Sequence, residues 1–128
     1  MKYLIIALLS LLSGLQTHAA SNDQEEIAVL TYLQIKPGTE AEFMAALNTI
    51  VKPSLSEPGN VAWYVQQSVN DPLNIVFYTR WKSEAALQLH LNSKPVADYI
   101  KATAPLLQPG YPQLVRFHPI DQLGSSSM

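Results

Sequence analysis

The order of segments predicts an α+β domain: a ferredoxin-like β-α-β-β-α-β chain, with an antiparallel sheet and both helices on one face. Three observations carry that expectation. Strand-like runs rich in β-branched and aromatic residues lie at Ile27–Ile35, Val61–Val69, Asn74–Trp81 and Gln113–His118. The middle two are separated only by the turn-rich Asn70-Asp71-Pro72-Leu73, which reads as a hairpin loop. The outer intervals are filled by segments with helical periodicity.

Taking the elements in order, Ile27–Ile35 (IAVLTYLQI) has apolar Ile27, Val29, Leu33 and Ile35 on one side. Ala28, Leu30 and Tyr32 on the other side are scarcely more polar, so this strand needs cover on both faces. Pro37-Gly38 stops it. Thr39 and Glu42 then have the spacing of a capping box, and Phe43, Ala46, Leu47, Ile50 and Val51 form one helical stripe that Pro53–Gly59 ends. Ser83 is an expected N-cap for a helix over Glu84–Leu91. Pro95 suits the first turn of a further helical segment running to about Ala102, before Pro105. Pro109-Gly110-Tyr111-Pro112 reads as a stiff loop before the last strand. Helices on one face leave the other face of the doubly apolar first strand uncovered, and a second subunit's sheet is the simplest cover. The expected state is a homodimer with its sheets facing each other.

The chain has 128 residues and no cysteine, so disulfides and thiolate chemistry are excluded. Lys2 precedes an apolar run, Tyr3–Leu12, broken only by Ser10, and Gly14–Ala20 turns small and polar. That is the layout of a secretory signal peptide. Cleavage after Ala19, which puts small Thr17 at −3, makes residues 1–19 the signal. Residues 20–26 are then a polar lead-in, residues 27–120 the domain and residues 121–128 a flexible tail. The run falls short of the roughly 20 apolar residues a spanning helix needs, which disfavours an uncleaved anchor. The expected location is the periplasm or the cell exterior, with no membrane association after cleavage. Losing Lys2 leaves seven basic against ten acidic residues, a formal charge of −3. With no basic patch, nucleic acid is a poor partner.

For chemistry, the chain carries no nucleophile-elbow serine motif, phosphate-binding glycine loop or zinc-protease helix motif. His90 and His118 remain after signal removal, without carboxylates at metal-ligand spacing, so no metal is expected. His90 follows Leu87 by three residues and Ala86 by four, which places it on the apolar face of its helix. One reading is a core histidine with satisfied nitrogens. The other is a general base at a pocket, since an imidazole titrates near neutral pH. Trp63, Tyr64, Trp81, Tyr78 and Tyr32 lie on three neighbouring strands. Alternation puts Trp63 opposite Tyr64 and Tyr78 opposite Trp81, so some pack under the helices while others face the inter-sheet space. They read as aromatic core or as the walls of a flat apolar pocket. Arg80 and Arg116 are strand arginines able to anchor a carboxylate or phenolate, or simply to pair at the surface.

The run Asn74–Leu91 (NIVFYTRWKSEAALQLHL), with His90 nine residues after Trp81, follows Glu57-Pro58-Gly59 and the strand start Val61–Val65. Over Ile27–Phe117 this combination resembles the antibiotic biosynthesis monooxygenase family, small dimeric α/β barrels. His90 matches the helix histidine of its quinol-monooxygenase-like members. A second histidine that often follows five residues later is Pro95 here, and the glutamate that often precedes the Arg-Trp pair is Thr79. In the haem-degrading branch the pocket tryptophan would fall at His90 and the axial histidine at Ile100, so haem degradation is not implied. The resemblance implies cofactor-free oxidation of a small aromatic or quinol-like substrate by molecular oxygen. In that reading His90 is the base and Trp81, Trp63, Tyr78, Tyr32 and Arg80 contact the substrate. The alternative is a non-catalytic ligand-binding or stress-related dimer that has kept the fold and lost the chemistry.

Overall fold

In the computed structural model, residues 25–120 are described. The signal-peptide, most of the lead-in and the tail assignments (residues 1–19, 20–24 and 121–128) lie outside the described residues. Strand β1 (Ile27–Gln34) leads through Pro37-Gly38 into helix α1 (Glu40–Leu55), then strands β2 (Asn60–Gln67) and β3 (Asn74–Trp81). Helices α2 (Glu84–Leu91) and α3 (Lys94–Thr103) follow, with a 3₁₀ turn over Ala104–Leu106 and strand β4 (Gln113–Phe117). The sheet order is β2-β3-β1-β4, every neighbouring pair antiparallel. This is the expected ferredoxin-like topology, with the second helical interval split at Asn92-Ser93.

Local chemistry accounts for the boundaries, with three departures from expectation. Gly38 sits at φ +84°, a left-handed conformation that glycine adopts without the steric cost a Cβ brings. The capping box at α1 does not form. The Thr39 hydroxyl donates to the Lys36 carbonyl at 2.8 Å and caps no helix amide, because the tight turn competes for it. Helix α1 also runs through Pro53 to Leu55. Proline there lies in the last turn, and Thr49, whose carbonyl loses an amide partner, is exposed to water. Strand β2 ends at Gln67 rather than Val69, since the Ser68 hydroxyl accepts from the amides of Asn70 and Asp71 at 3.2 and 3.3 Å and pulls the chain into its turn.

Alternation along β3 sorts the sheet into two faces. Ile75, Phe77, Thr79 and Trp81 are buried, and Asn74, Val76, Tyr78 and Arg80 are only half-buried. The buried face meets the helices in two clusters. The larger gathers Leu33, Phe43, Leu47, Ile50, Phe77 and Tyr99 among others, and the smaller gathers Ile27, Val29, Trp81 and Leu87. Trp63 packs against both. Phe43 and Trp81 are essentially inaccessible, and burying side chains of that size removes about 1.5–3 kcal/mol each of hydrophobic exposure. The opposite face, with Tyr64 59% and Val115 42% exposed, has no helix over it among the described residues.

Candidate active site

Helix α2 is set by its cap: Ser83 is extended, and its hydroxyl accepts from the Ala86 amide at 3.2 Å. Seven residues on, at the end of the second turn, His90 enters the core and is 6% exposed. Its ring stacks on Trp81, centroids 4.4 Å apart at 30°. It meets Trp63 edge-on, at 5.4 Å and 83°. Two indoles therefore fix the plane and position of the imidazole.

A carboxylate fixes its rotation. His90 Nδ1 lies 2.9 Å from Glu57 Oε1, a residue 33 positions upstream in the connection between α1 and β2. An ionised carboxylate only accepts hydrogen bonds, so against one Nδ1 is the donor, and a neutral ring in that tautomer has its lone pair on Nε2. Nε2 has no partner among the described residues. Glu57 reaches the imidazole because its loop lies directly on α2. A Cβ on Gly59 would stand 2.4 Å from the Cβ of Ala86, a separation only a glycine avoids. The Gly59 carbonyl also accepts from the Lys82 amide at 2.9 Å, tying the loop to the end of β3.

His90, Trp63, Trp81 and Thr79 line a cavity of about 180 Å³ between sheet and helices, walled elsewhere by residues of both core clusters. An apolar cavity of about 150 Å³ accepts benzene, so this one has room for a single substituted ring. Its polar groups are few. The Thr79 hydroxyl accepts from Trp81 Nε1 at 3.1 Å. Trp63 Nε1 and the Tyr99 hydroxyl are buried without a hydrogen-bond partner. Thr103 is near Tyr99, but its hydroxyl donates to the Tyr99 carbonyl at 2.8 Å. Burial pushes the Tyr99 phenol far above the ordinary tyrosine range, so it stays protonated. Among the described residues, no three His, Cys, Asp or Glu side chains gather at metal-binding distance.

Of the residues the sequence nominated, the fold brings His90, Trp81 and Trp63 together. Tyr78, Tyr32 and Arg80, expected to contact the substrate, do not line this cavity. Each is offset from an inward residue by one position in its strand, so pleating turns it to the open face. Tyr78 stacks on Tyr64 there, centroids 6.2 Å apart, and Arg80 pairs with Glu26. Arg116, the other strand arginine, lines the cavity. Sequence reasoning missed two participants. Tyr99 was concealed in the apolar stripe of α3, whose spacing with Val96 and Thr103 gave it away only as a helix face. Glu57 stood in a motif whose visible signal was the Pro58-Gly59 turn.

The family model for antibiotic biosynthesis monooxygenase matches residues 26–102, more than half of the chain. The chain belongs to that family. Among its relatives, an uncharacterized protein of Synechocystis is 26% identical over 83 residues, 65% of this chain and 56% of that protein. YcnE of Bacillus subtilis is 30% identical over 64 residues, covering 50% of this chain and 67% of YcnE. The chain thus spans little more than half the length of the first of these relatives. Among solved structures, a conserved protein of Methanosarcina mazei superposes with a TM-score of 0.70 at 22% identity, over 75% of this chain and 94% of the other. Rv0793 of Mycobacterium tuberculosis gives 0.71 at 21% identity, over 77% and 99%. At such identities the structures establish the shared fold.

Proposed function

We propose that this protein oxidises a small aromatic, quinol-type substrate with molecular oxygen and without a cofactor. The observation that carries the reading is an imidazole held by Glu57 through Nδ1 and by two indoles, on the wall of a ring-sized apolar cavity. In the proposed reaction Nε2 takes a phenolic proton, and Glu57 stabilises the imidazolium that forms. The electron-rich anion then reduces dioxygen. One oxygen atom replaces a ring hydrogen and the other leaves as water, while the quinol becomes a hydroxyquinone. The substrate thereby supplies all four electrons. Dry walls strengthen the interactions of the developing charge, and Trp63 Nε1 and the Tyr99 hydroxyl are unspent donors on side chains that line the cavity.

We also propose that the active form is a homodimer packed through the open sheet faces, since members of this family are often dimers, and that it works in the periplasm or outside the cell. N-terminal sequencing from the native host should find Ala20, or a residue beside it, as the first residue. Retention of full-length chain in the cytoplasm would reject export.

Oxygen uptake with a panel of quinols tests the chemistry. His90→Ala should lower the rate by about 10²–10⁴-fold while the fold persists, and Glu57→Gln should lower it less. Activity that survives in both variants would exclude His90 as the base. One observation favours the non-catalytic reading: Thr79, where the resemblance implies a glutamate, is uncharged and its hydroxyl accepts from Trp81 Nε1. A wild-type protein that takes up no oxygen, yet melts at higher temperature with an aromatic ligand, would decide for a binding module.

A further inference from the structure

We propose that Arg116 makes this cavity selective for monocyclic aromatics bearing a carboxylate, held at the end of the cavity away from the His90 aromatic cluster. The inference rests on the reading of the cavity as a site for a small aromatic molecule. Of the side chains lining it, Arg116 alone carries a permanent charge.

The sheet register places that charge. Arg116 pairs with Val29, Val29 with Thr79, and Thr79 with Trp63, so the four form one row across the helix-covered face. With strands ~4.8 Å apart, the Arg116 backbone lies roughly 10 Å from that of Thr79 and roughly 14 Å from that of Trp63. His90 packs at the Trp63 and Trp81 end of this row. One ring laid along the row would present its hydroxyl to His90 and its opposite substituent to the guanidinium.

The guanidinium also has capacity to spare. Only Nη1 is engaged, at 3.1 and 3.2 Å from the two oxygens of Glu84. Nη2 and Nε have no partner among the described residues, which leaves the donors needed for a carboxylate. Glu84 does not line the cavity. Its pair with Arg116 is solvent-exposed, 49% and 40% for the two side chains, and such pairs are held weakly. The Glu84 carboxyl lies below its ordinary range chiefly because the Gln88 amide donates to it, with Arg116 contributing. Glu84 therefore keeps a hydrogen-bond partner when Arg116 turns to a ligand, while its charge competes with that ligand's. Removing Arg116 and removing Glu84 should act in opposite directions.

Quenching of the cavity tryptophans and calorimetry with two matched probes, 4-hydroxybenzoate and 4-hydroxybenzamide, test this on the purified protein. Wild type should bind the acid at least ten-fold more tightly than the amide. Arg116→Gln should abolish that preference by weakening the acid alone, and Arg116→Lys should restore part of it. Glu84→Gln should strengthen acid binding several-fold without affecting the amide. Arg80→Gln, on the other face of the sheet, should change neither. Equal wild-type affinities, or an Arg116→Gln loss common to both probes, would overturn the proposal. Binding of neither probe would overturn it together with the reading of the cavity. Arg116-dependent acid binding without oxygen uptake from any quinol would uphold this inference and reject the oxidation.

Discussion

Two residues of one strand three positions apart, Tyr78 and Trp81, belong to two different parts of this molecule. On the helix-covered face, Trp81 is essentially inaccessible, donates to Thr79 and carries the His90 ring. On the open face, Tyr78 is half-buried and stacks on Tyr64, itself largely exposed. Both faces are rich in aromatics, yet only one is enclosed enough to hold a ring away from water. Aromatic content thus marks surfaces that need covering. A helix layer turns one of them into a cavity wall and leaves the other as an open surface.

The contrast is broken most severely at Trp81. Trp81→Ala should destabilise the fold by about 3–5 kcal/mol, read by denaturant unfolding, and should remove the platform beneath His90. Tyr78→Ala should leave unfolding of the isolated subunit within about 1 kcal/mol. Comparable losses from the two would mean that the faces are not energetically distinct.

A second test acts on the open face alone. Leu30 lies opposite Tyr78 in the register. Leu30→Asp should weaken the proposed sheet-to-sheet association by several kcal/mol, as a charge buried without a partner does. Light scattering should then fall from twice the subunit mass to one, while binding in the cavity persists. A wild-type chain that is monomeric at micromolar concentration would remove the sheet-to-sheet dimer altogether.

The smallest effect sharpens the link between loop and helix. Gly59→Ala places a methyl 2.4 Å from the Ala86 Cβ and should cost about 1–3 kcal/mol as the loop is pushed off α2. Because that loop carries Glu57, quinol oxidation should fall by more than the loss of folded protein explains. Pairing the change with Ala86→Gly, which vacates the space, should restore both. Failure of the pair to recover activity would show that Gly59 does not position Glu57.

Much of this was legible in the residues themselves. The strands, the hairpin and the Ser83 cap follow from period and turn chemistry, both local properties of a chain, and the order of the segments narrows the topology to a ferredoxin-like one. The same alternation separates Trp63 from Tyr64 and Trp81 from Tyr78, and helix spacing puts His90 on an apolar face. Local signals failed where two local partners competed. Thr39 had a turn carbonyl nearer to hand than a helix amide, and Pro53 could be tolerated once its lost hydrogen bond lay in the last turn beside water.

What the sequence determined by itself is therefore the element of most residues and the face each takes within it, because backbone geometry fixes both from neighbours alone. It did not determine which face would enclose a cavity, nor that Glu57 would meet His90. Nor did it show that Arg116, rather than Arg80, would line the cavity. Those pairings join positions 33 or more residues apart in the chain or depend on strand order, and no local preference encodes them. They arise only when the loop at Gly59 seats against α2 and the helices close over one side of the sheet.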